Sequence, residues 1–428
     1  MASMTAPVDH YSALFARRES AGLPAWLPPL QRAAHSRFAE LGFPTRRDEE
    51  WRFTDIRPIA EVPFRPASGG ADAGALAAEF GFGGLAQIVF VDGRYAPELS
   101  SIDELPGGAK VVPLSGALRS HAALLEPHLG RYAAFEREPF VALNTALFAE
   151  GAFLHVPRGV AMAEPIHILY LATEDGAMIT PRTLIVADEG SQATVVESYA
   201  GSGTAVTFTN AVTEVAVAER AFVDHYKLQR EGDRAFHIAQ MKVNLKAQSV
   251  FSSHSITLGA AIARNDVTAY LGGRHIECTL NGLYLGHGSR LIDNHTAIDH
   301  AMPDCGSHEV YKGILDGRSR GVFNGKIFVR EDAQKTDAKQ TNRTLLLSED
   351  AQINTKPQLE IFADDVKCTH GATVGQLNAE QLFYLRTRGI ALDEARAILI
   401  YAFAGDIVNR IKVPALREAM DEIVGSRS

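Results

Sequence analysis

QATVVESY (residues 192–199), RAFVDHYK (220–227) and QSVFSSHS (248–255) decide the fold, because three alternating, strand-like octets begin 28 residues apart. Alternation at period two marks strands. Recurrence at a fixed interval marks stacked coils, each of which buries its apolar face only against its neighbours. Further on, EDAQKTDAKQ from Glu331 returns as EDAQINTKPQ from Glu349, an offset of 18, and the next register from Lys367 keeps only the closing glutamine. The repeats predict a mainly β protein whose core is a right-handed parallel β-helix. A β-sandwich is the competing architecture, since many short strands with turn residues fit it too. An 18-residue unit is short for two sandwich strands and their loops, which favours the coil.

Outward from these octets, short apolar segments separated by Gly, Asp, Asn and Ser run from about Leu85 to Gly375. Residues 80–180 are strand-rich without a clear repeat. On the N-terminal side, LPPLQRAAHSRFAELG carries apolar residues at helical spacing and stops at Gly42. RRDEEWRFTDI then crowds charge around Trp51 and Phe53 and reads as a solvated charged turn with aromatic anchors, and SGGADAG (68–74) reads as a linker. After Gly375 the period becomes helical over residues 379–388, 393–410 and 414–424, with Asp393 at a helix start and Pro414 in a first turn. The expected division is an N-terminal helical region (1–80), the β-helix core (81–377) and a C-terminal helical domain (378–428).

Composition bounds the function. The chain of 428 residues is 46% hydrophobic, enough for a large core, and its net charge of −9 offers no positive field for nucleic acid or anionic lipid. Three cysteines at wide spacing argue against a secreted disulfide framework and fit a reducing cytosol. No signal-peptide core and no run of about 20 apolar residues is found; residues 397–404 are too short a run to cross a bilayer. A cytoplasmic protein with no membrane and no nucleic-acid partner is expected.

The candidate chemistry lies in PQLEIFADDVKCTHGATVG (357–375), where Cys368 and His370 stand two residues apart in a strand-like run and so share a face. Thiolate and imidazole suit iron, zinc or copper. Two ligands do not close a structural site, so the pair is either half of a site completed by another chain or ordinary packing with a hydrogen-bonded histidine. The run DNHTAIDHAMPDCGSHEVYKG brings His295, His300, Cys305 and His308 close in sequence, but its spacings match no strong zinc signature, and turn or interface roles are the simpler account. Cys278 reads as a core cysteine. No phosphate loop, dinucleotide fingerprint or G-x-S-x-G is present. The enzymatic rival is a β-helix carbohydrate lyase or esterase built on Asp332, Lys335, Asp337 and Lys339; a metal-free structural interaction protein is the third reading.

Three long blocks, PTRRDEEWRFTDI, FNGKIFVREDAQKTDAKQTNRTLLLSEDAQINTKPQLEIFADDVKCTHGATVG, and EQLFYLRTRGI followed by EARAILIYAFAGDIVNRI, resemble in order the SufD family, components of the SUF iron–sulfur cluster assembly scaffold. The resemblance implies a non-catalytic subunit with a β-helix core. That core would pair with the homologous core of a SufB-type chain, while the C-terminal helices dock an ABC-type ATPase, SufC. It implies that His370 faces a SufB cysteine where a transient cluster forms, with Cys368 as second candidate. The docking residues it suggests are Glu380, Phe383, Tyr384, Arg386, Arg388, Ile400 and Phe403. Self-pairing of the chain when alone is open, and a flavin on the complex is not readable. ATP-driven movement of SufC would pull the C-terminal helices and open the seam at His370.

Overall fold

The computed structural model describes residues 5–18, 22–69 and 72–426. From Ile166 onward the chain winds as a parallel β-solenoid of about eight turns, each giving one strand to each of two sheets. Sheet 1 stacks Arg182–Ala187, Phe208–Val217, Phe236–Leu245, Ile262–Leu271, Leu291–His300, Arg320–Val329 and Gln352–Ile361. Sheet 2 stacks Ile166–Ala172, Gln192–Gly201, Phe222–Arg230, Val250–Thr257, Glu277–Gly286, Gly306–Leu315, Asp337–Leu346 and Lys367–Gly375. Among the described residues the antiparallel pairing lies at the start, between Ala86–Val91 and Arg94–Tyr95, between Lys110–Pro113 and Ala152–Val156, and at a single bridge from Gln87 to Ser101. Parallel stacking of this kind excludes the sandwich, whose sheets are antiparallel.

The register explains what the repeats measured. Phe222 lies opposite Val250, an offset of 28, as the octets require, whereas Gln192 lies opposite Phe222, an offset of 30. The two-residue difference preserves which side chains face inward, because strands have period two. The 18-residue offset has another meaning and corrects the sequence reading. Glu331 and Glu349 precede Asp337–Leu346 on sheet 2 and Gln352–Ile361 on sheet 1, so the offset spans about half a coil. Coils remain near 30 residues long to the end, with Asp337 opposite Lys367.

Inside the coils, apolar side chains such as Val195, Val223, Phe251, Ile292 and Phe323 form one continuous core. Polar residues share that lumen. Glu197 is fully buried, accepts hydrogen bonds from Thr183 (2.6 Å) and Tyr199 (2.9 Å), and lies 3.1 Å from His225. Burial alone would raise its carboxyl, but these partners hold it down at about 2.

Helical layers cover the outer face of each sheet. Leu27–Leu41 ends as expected at Gly42, whose φ of 64° and N–H to Phe38 O close the last turn. Phe38, Phe43, Trp51 and Phe64 pack with Phe140 of the helix Pro139–Leu147 and with Phe208 and Phe236 on sheet 1. Helices Leu114–Ser120, Ala122–Leu125 and Pro139–Leu147 interrupt the span expected to be strands. A fully buried ion pair, Arg182 to Glu214 at 2.5 Å, ties this helical segment down: Glu214 accepts N–H groups of Gly130, Tyr132 and Ala133, and Arg182 donates to Asn144 and Thr145. Of the expected linker, residues 70 and 71 lie outside the described residues. On sheet 2 sit Leu392–Val408, with Asp393 in its first turn, and Pro414–Ser426, while Ala379–Thr387 packs beside Leu392–Val408. Among the described residues no helix is long and apolar enough to cross a membrane.

Candidate functional site

The last coil has a free edge. Gln352–Ile361 pairs only with Arg320–Val329, and Lys367–Gly375 only with Asp337–Leu346, so among the described residues both strands keep one unpaired row of backbone groups. Such a row is a template for another chain. The register fixes what points into the open lumen. Cys368 stacks on buried Ala338 and His370 on buried Gln340, while across the mouth Leu359 follows Ile327 and Ile361 follows Val329. Beside the mouth, Phe362 is 60% exposed, with its ring 5.3 Å from that of Phe328.

Cys368 and His370 therefore share the inward face at the terminal edge. Cys368 is half-buried against Ile327, Val329, Ala333, Ala338 and Ala363, and burial pushes its thiol up. His370 is exposed. Among the described residues no three His, Cys, Asp or Glu side chains are grouped to hold a metal ion, so the pair stands as two donors on an open edge. Chemically the pair can offer an imidazole and, after deprotonation, a thiolate, fewer donors than a closed metal site uses.

The other sequence candidates do not converge. His295 faces outward under the N-terminal segment, with Nε2 3.0 Å from Asp293 and Nδ1 3.2 Å from Glu50, whereas His300 faces the lumen and meets Ser307 at 2.9 Å. His308 is exposed on the outer face of sheet 2, and the Cys305 thiol donates to Gly273 O at 3.2 Å. Cys278 is buried in the core, as expected, its thiol pushed well up by burial. The proposed enzymatic quartet is a surface feature: Lys335 pairs with Asp365, and Lys339 lies 3.1 Å from Asp337, all exposed or nearly so.

The charged segment around Trp51 is less solvated than its composition indicates. Trp51 is buried under Arg264, Thr54 donates to buried Asp293 at 2.5 Å, and Lys356 reaches Glu49 at 2.6 Å. Between this segment and sheet 1 lies a cleft of about 560 Å³ lined by residues including Glu50, Glu138, Lys242, Arg264 and His295. Sequence reasoning missed the buried ion partners because Arg264, Asp266 and Asp293 lie more than two hundred residues from Trp51.

The C-terminal candidates divide. Glu380, Phe383, Tyr384, Arg386 and Arg388 are exposed on or just beyond Ala379–Thr387, a helix with no buried residue; Phe383 is 70% and Tyr384 58% exposed. Ile400 is buried against the outer face of sheet 2, and Phe403 is half-buried with the Lys312 ammonium 4.7 Å from its ring. These two hold the helix Leu392–Val408 on the solenoid.

The described residues form a parallel β-solenoid with an open terminal edge and a helical tail, and comparison with known families identifies the class of protein. Residues 170–403 match the model of the SUF system FeS cluster assembly SufBD core domain, and residues 84–168 match the SufBD protein N-terminal region. The chain belongs to the SufBD family of iron–sulfur cluster assembly proteins. Similar proteins include a SufBD family iron–sulfur cluster assembly protein of Synechocystis, 34% identical over 91% of this chain and 88% of its own. The iron–sulfur cluster assembly protein SufD of Escherichia coli is 33% identical over 90% of this chain and 89% of its own. SufD of Bacillus subtilis is 26% identical over 72% and 71%. The SufD resemblance of the three sequence blocks is borne out.

Proposed function

We propose that this chain is the SufD-type half of a cytoplasmic cluster-assembly scaffold, without catalytic activity of its own. Its terminal coil pairs edge to edge with the homologous coil of a SufB-type chain. His370, seconded by Cys368, then completes with a partner cysteine the place where a nascent iron–sulfur cluster is held as cargo. The exposed face of Ala379–Thr387, with Phe383, Tyr384, Arg386 and Arg388, docks a SufC-type ATPase. The observation that carries the reading is the unpaired terminal coil with Cys368 and His370 at its mouth. Backbone pairing along two free edges would supply affinity, and imidazole in place of thiolate would lower the negative charge on a cluster meant to leave.

The test is co-expression of the tagged chain with a SufB-type and a SufC-type partner, mass measurement of the isolated complex, and comparison with His370→Ala. A complex containing all three chains, whose cluster content falls with the substitution while assembly of the proteins persists, supports the reading. Recovery of the chain alone or as a self-paired dimer under the same conditions overturns the heteromeric scaffold.

A further inference from the structure

Beneath His370 the lumen carries a polar column that the cargo site itself does not account for. Leu280, Glu309, Gln340 and His370 succeed one another in register on sheet 2, one per coil. Glu309 and Gln340 are both about 1% exposed, in a lumen they share with buried Thr296, Ser307 and Asn342. Gln340 Nε2 donates to Glu309 Oε2 at 2.8 Å, which fixes the amide with its carbonyl oxygen left over, and that oxygen is buried without a partner. Space for the amide is built in from the opposite sheet: a Cβ on Gly325 would collide with Gln340 Nε2 and with the Phe323 ring. Burial pushes the Glu309 carboxyl up to about 7, with the Thr296 hydroxyl and then the Gln340 amide partly offsetting it, so holding this pair inside the solenoid is costly. A buried, pinned amide with one open acceptor calls for a donor, and the residue stacked over it, His370, has a ring N–H to give.

We propose that Gln340, held by Glu309, is the positioning residue for His370: its free carbonyl oxygen accepts one imidazole N–H and so leaves the lone pair of the other ring nitrogen turned to the seam. The inference rests on the reading of His370 as a cargo ligand. A ligating histidine commonly gives its second N–H to a carbonyl or carboxylate, which sets tautomer and ring orientation.

The experiment uses the full chain labelled with ¹⁵N-histidine, without metal or partner, and reads the His370 ring nitrogen shifts at a pH where the imidazole is neutral, assigned by their loss in His370→Asn. In the wild-type chain one tautomer dominates. The double substitution E309M/Q340M removes both polar groups while keeping their volume, and lowers the tautomer ratio by about fivefold, the factor one hydrogen bond of ordinary net strength produces. Glu309→Gln, which keeps an acceptor for the Gln340 amide, retains the wild-type ratio. An unchanged ratio in E309M/Q340M, with folding confirmed by its thermal transition, overturns the proposal. Should the double variant not fold, the wild-type chain decides alone: a tautomer mixture like that of a free surface histidine overturns it. Because no cluster is involved, failure here leaves the assembly reading standing, and failure of the assembly test leaves this contact standing.

Discussion

The guanidinium carbon of Arg264 lies 3.7 Å from the centre of the Trp51 ring. Arg264 is itself buried on the outer face of sheet 1, bonded to Asp266 at 3.0 Å and Asp293 at 3.1 Å, so the ring caps a desolvated ion cluster. Trp51→Ala removes the cap and a large buried side chain at once. The expected loss is about 3–5 kcal/mol of unfolding free energy, of which Trp51→Phe restores most of the packing but only part of the cation–π attraction, worth about 0.5–2 kcal/mol. Urea unfolding measures both, and limited proteolysis should cut the alanine variant first between residues 44 and 66.

His295 makes the same cluster sensitive to pH. Burial alone would depress the imidazole, yet the carboxylates of Asp293 and Glu50 outweigh burial and the nearby Arg264 and push it up to about 9. A group whose folded value lies above its unfolded value of 6.5 contributes stability fully below pH 6.5 and loses it as pH rises through 9. The shift corresponds to an effect on the order of 3 kcal/mol. Wild-type unfolding midpoints should therefore fall between pH 6.5 and 9.5, and His295→Gln should flatten the curve. A flat wild-type curve would remove the ion pair from the energetics.

Much of this architecture was legible because it is periodic. The octets at 192, 220 and 248 mark successive strands of sheet 2, and the helical spacing after Gly375 marks the tail. What alternation does not carry is the identity of the opposite wall. The glycine at Gly325, the pair Glu309 and Gln340, and the lumen group around Glu197 look in sequence like the polar half of an amphipathic strand. Only the closed coil turns them inward. The helices between residues 114 and 147 escaped because they are short and sit among strands, their position fixed by the distant Arg182–Glu214 pair rather than by their own propensity.

In the tail, docking and folding should separate by residue. Phe383→Ala with Tyr384→Ala touches exposed rings and should leave the unfolding midpoint within about 0.5 kcal/mol of wild type. It should also weaken capture of a SufC-type ATPase by on the order of 2 kcal/mol or more if these rings anchor the contact. Ile400→Ala, buried against sheet 2, should cost about 2–5 kcal/mol of stability. Point variants are the cleaner test here, since deleting the tail would uncover Tyr226, Leu228, Ile256 and Leu283 on the solenoid.

His370 and Cys368 should respond differently for reasons of burial. His370 is exposed, so His370→Ala is expected to leave stability within about 0.5 kcal/mol while lowering cluster content of the assembled complex by about tenfold or more. Cys368 is packed against Ile327, Val329 and Ala338, and its raised thiol must lose a proton before it can bind metal. Cys368→Ala should therefore cost about 1 kcal/mol of stability from lost packing and reduce cluster content less than His370→Ala does at neutral pH. The gap should narrow as pH rises toward the thiol range, where deprotonation makes Cys368 competitive as a donor. A larger loss from the cysteine at pH 7 would make the thiolate the principal ligand and the imidazole its support, and no loss from either would take the cargo away from this edge.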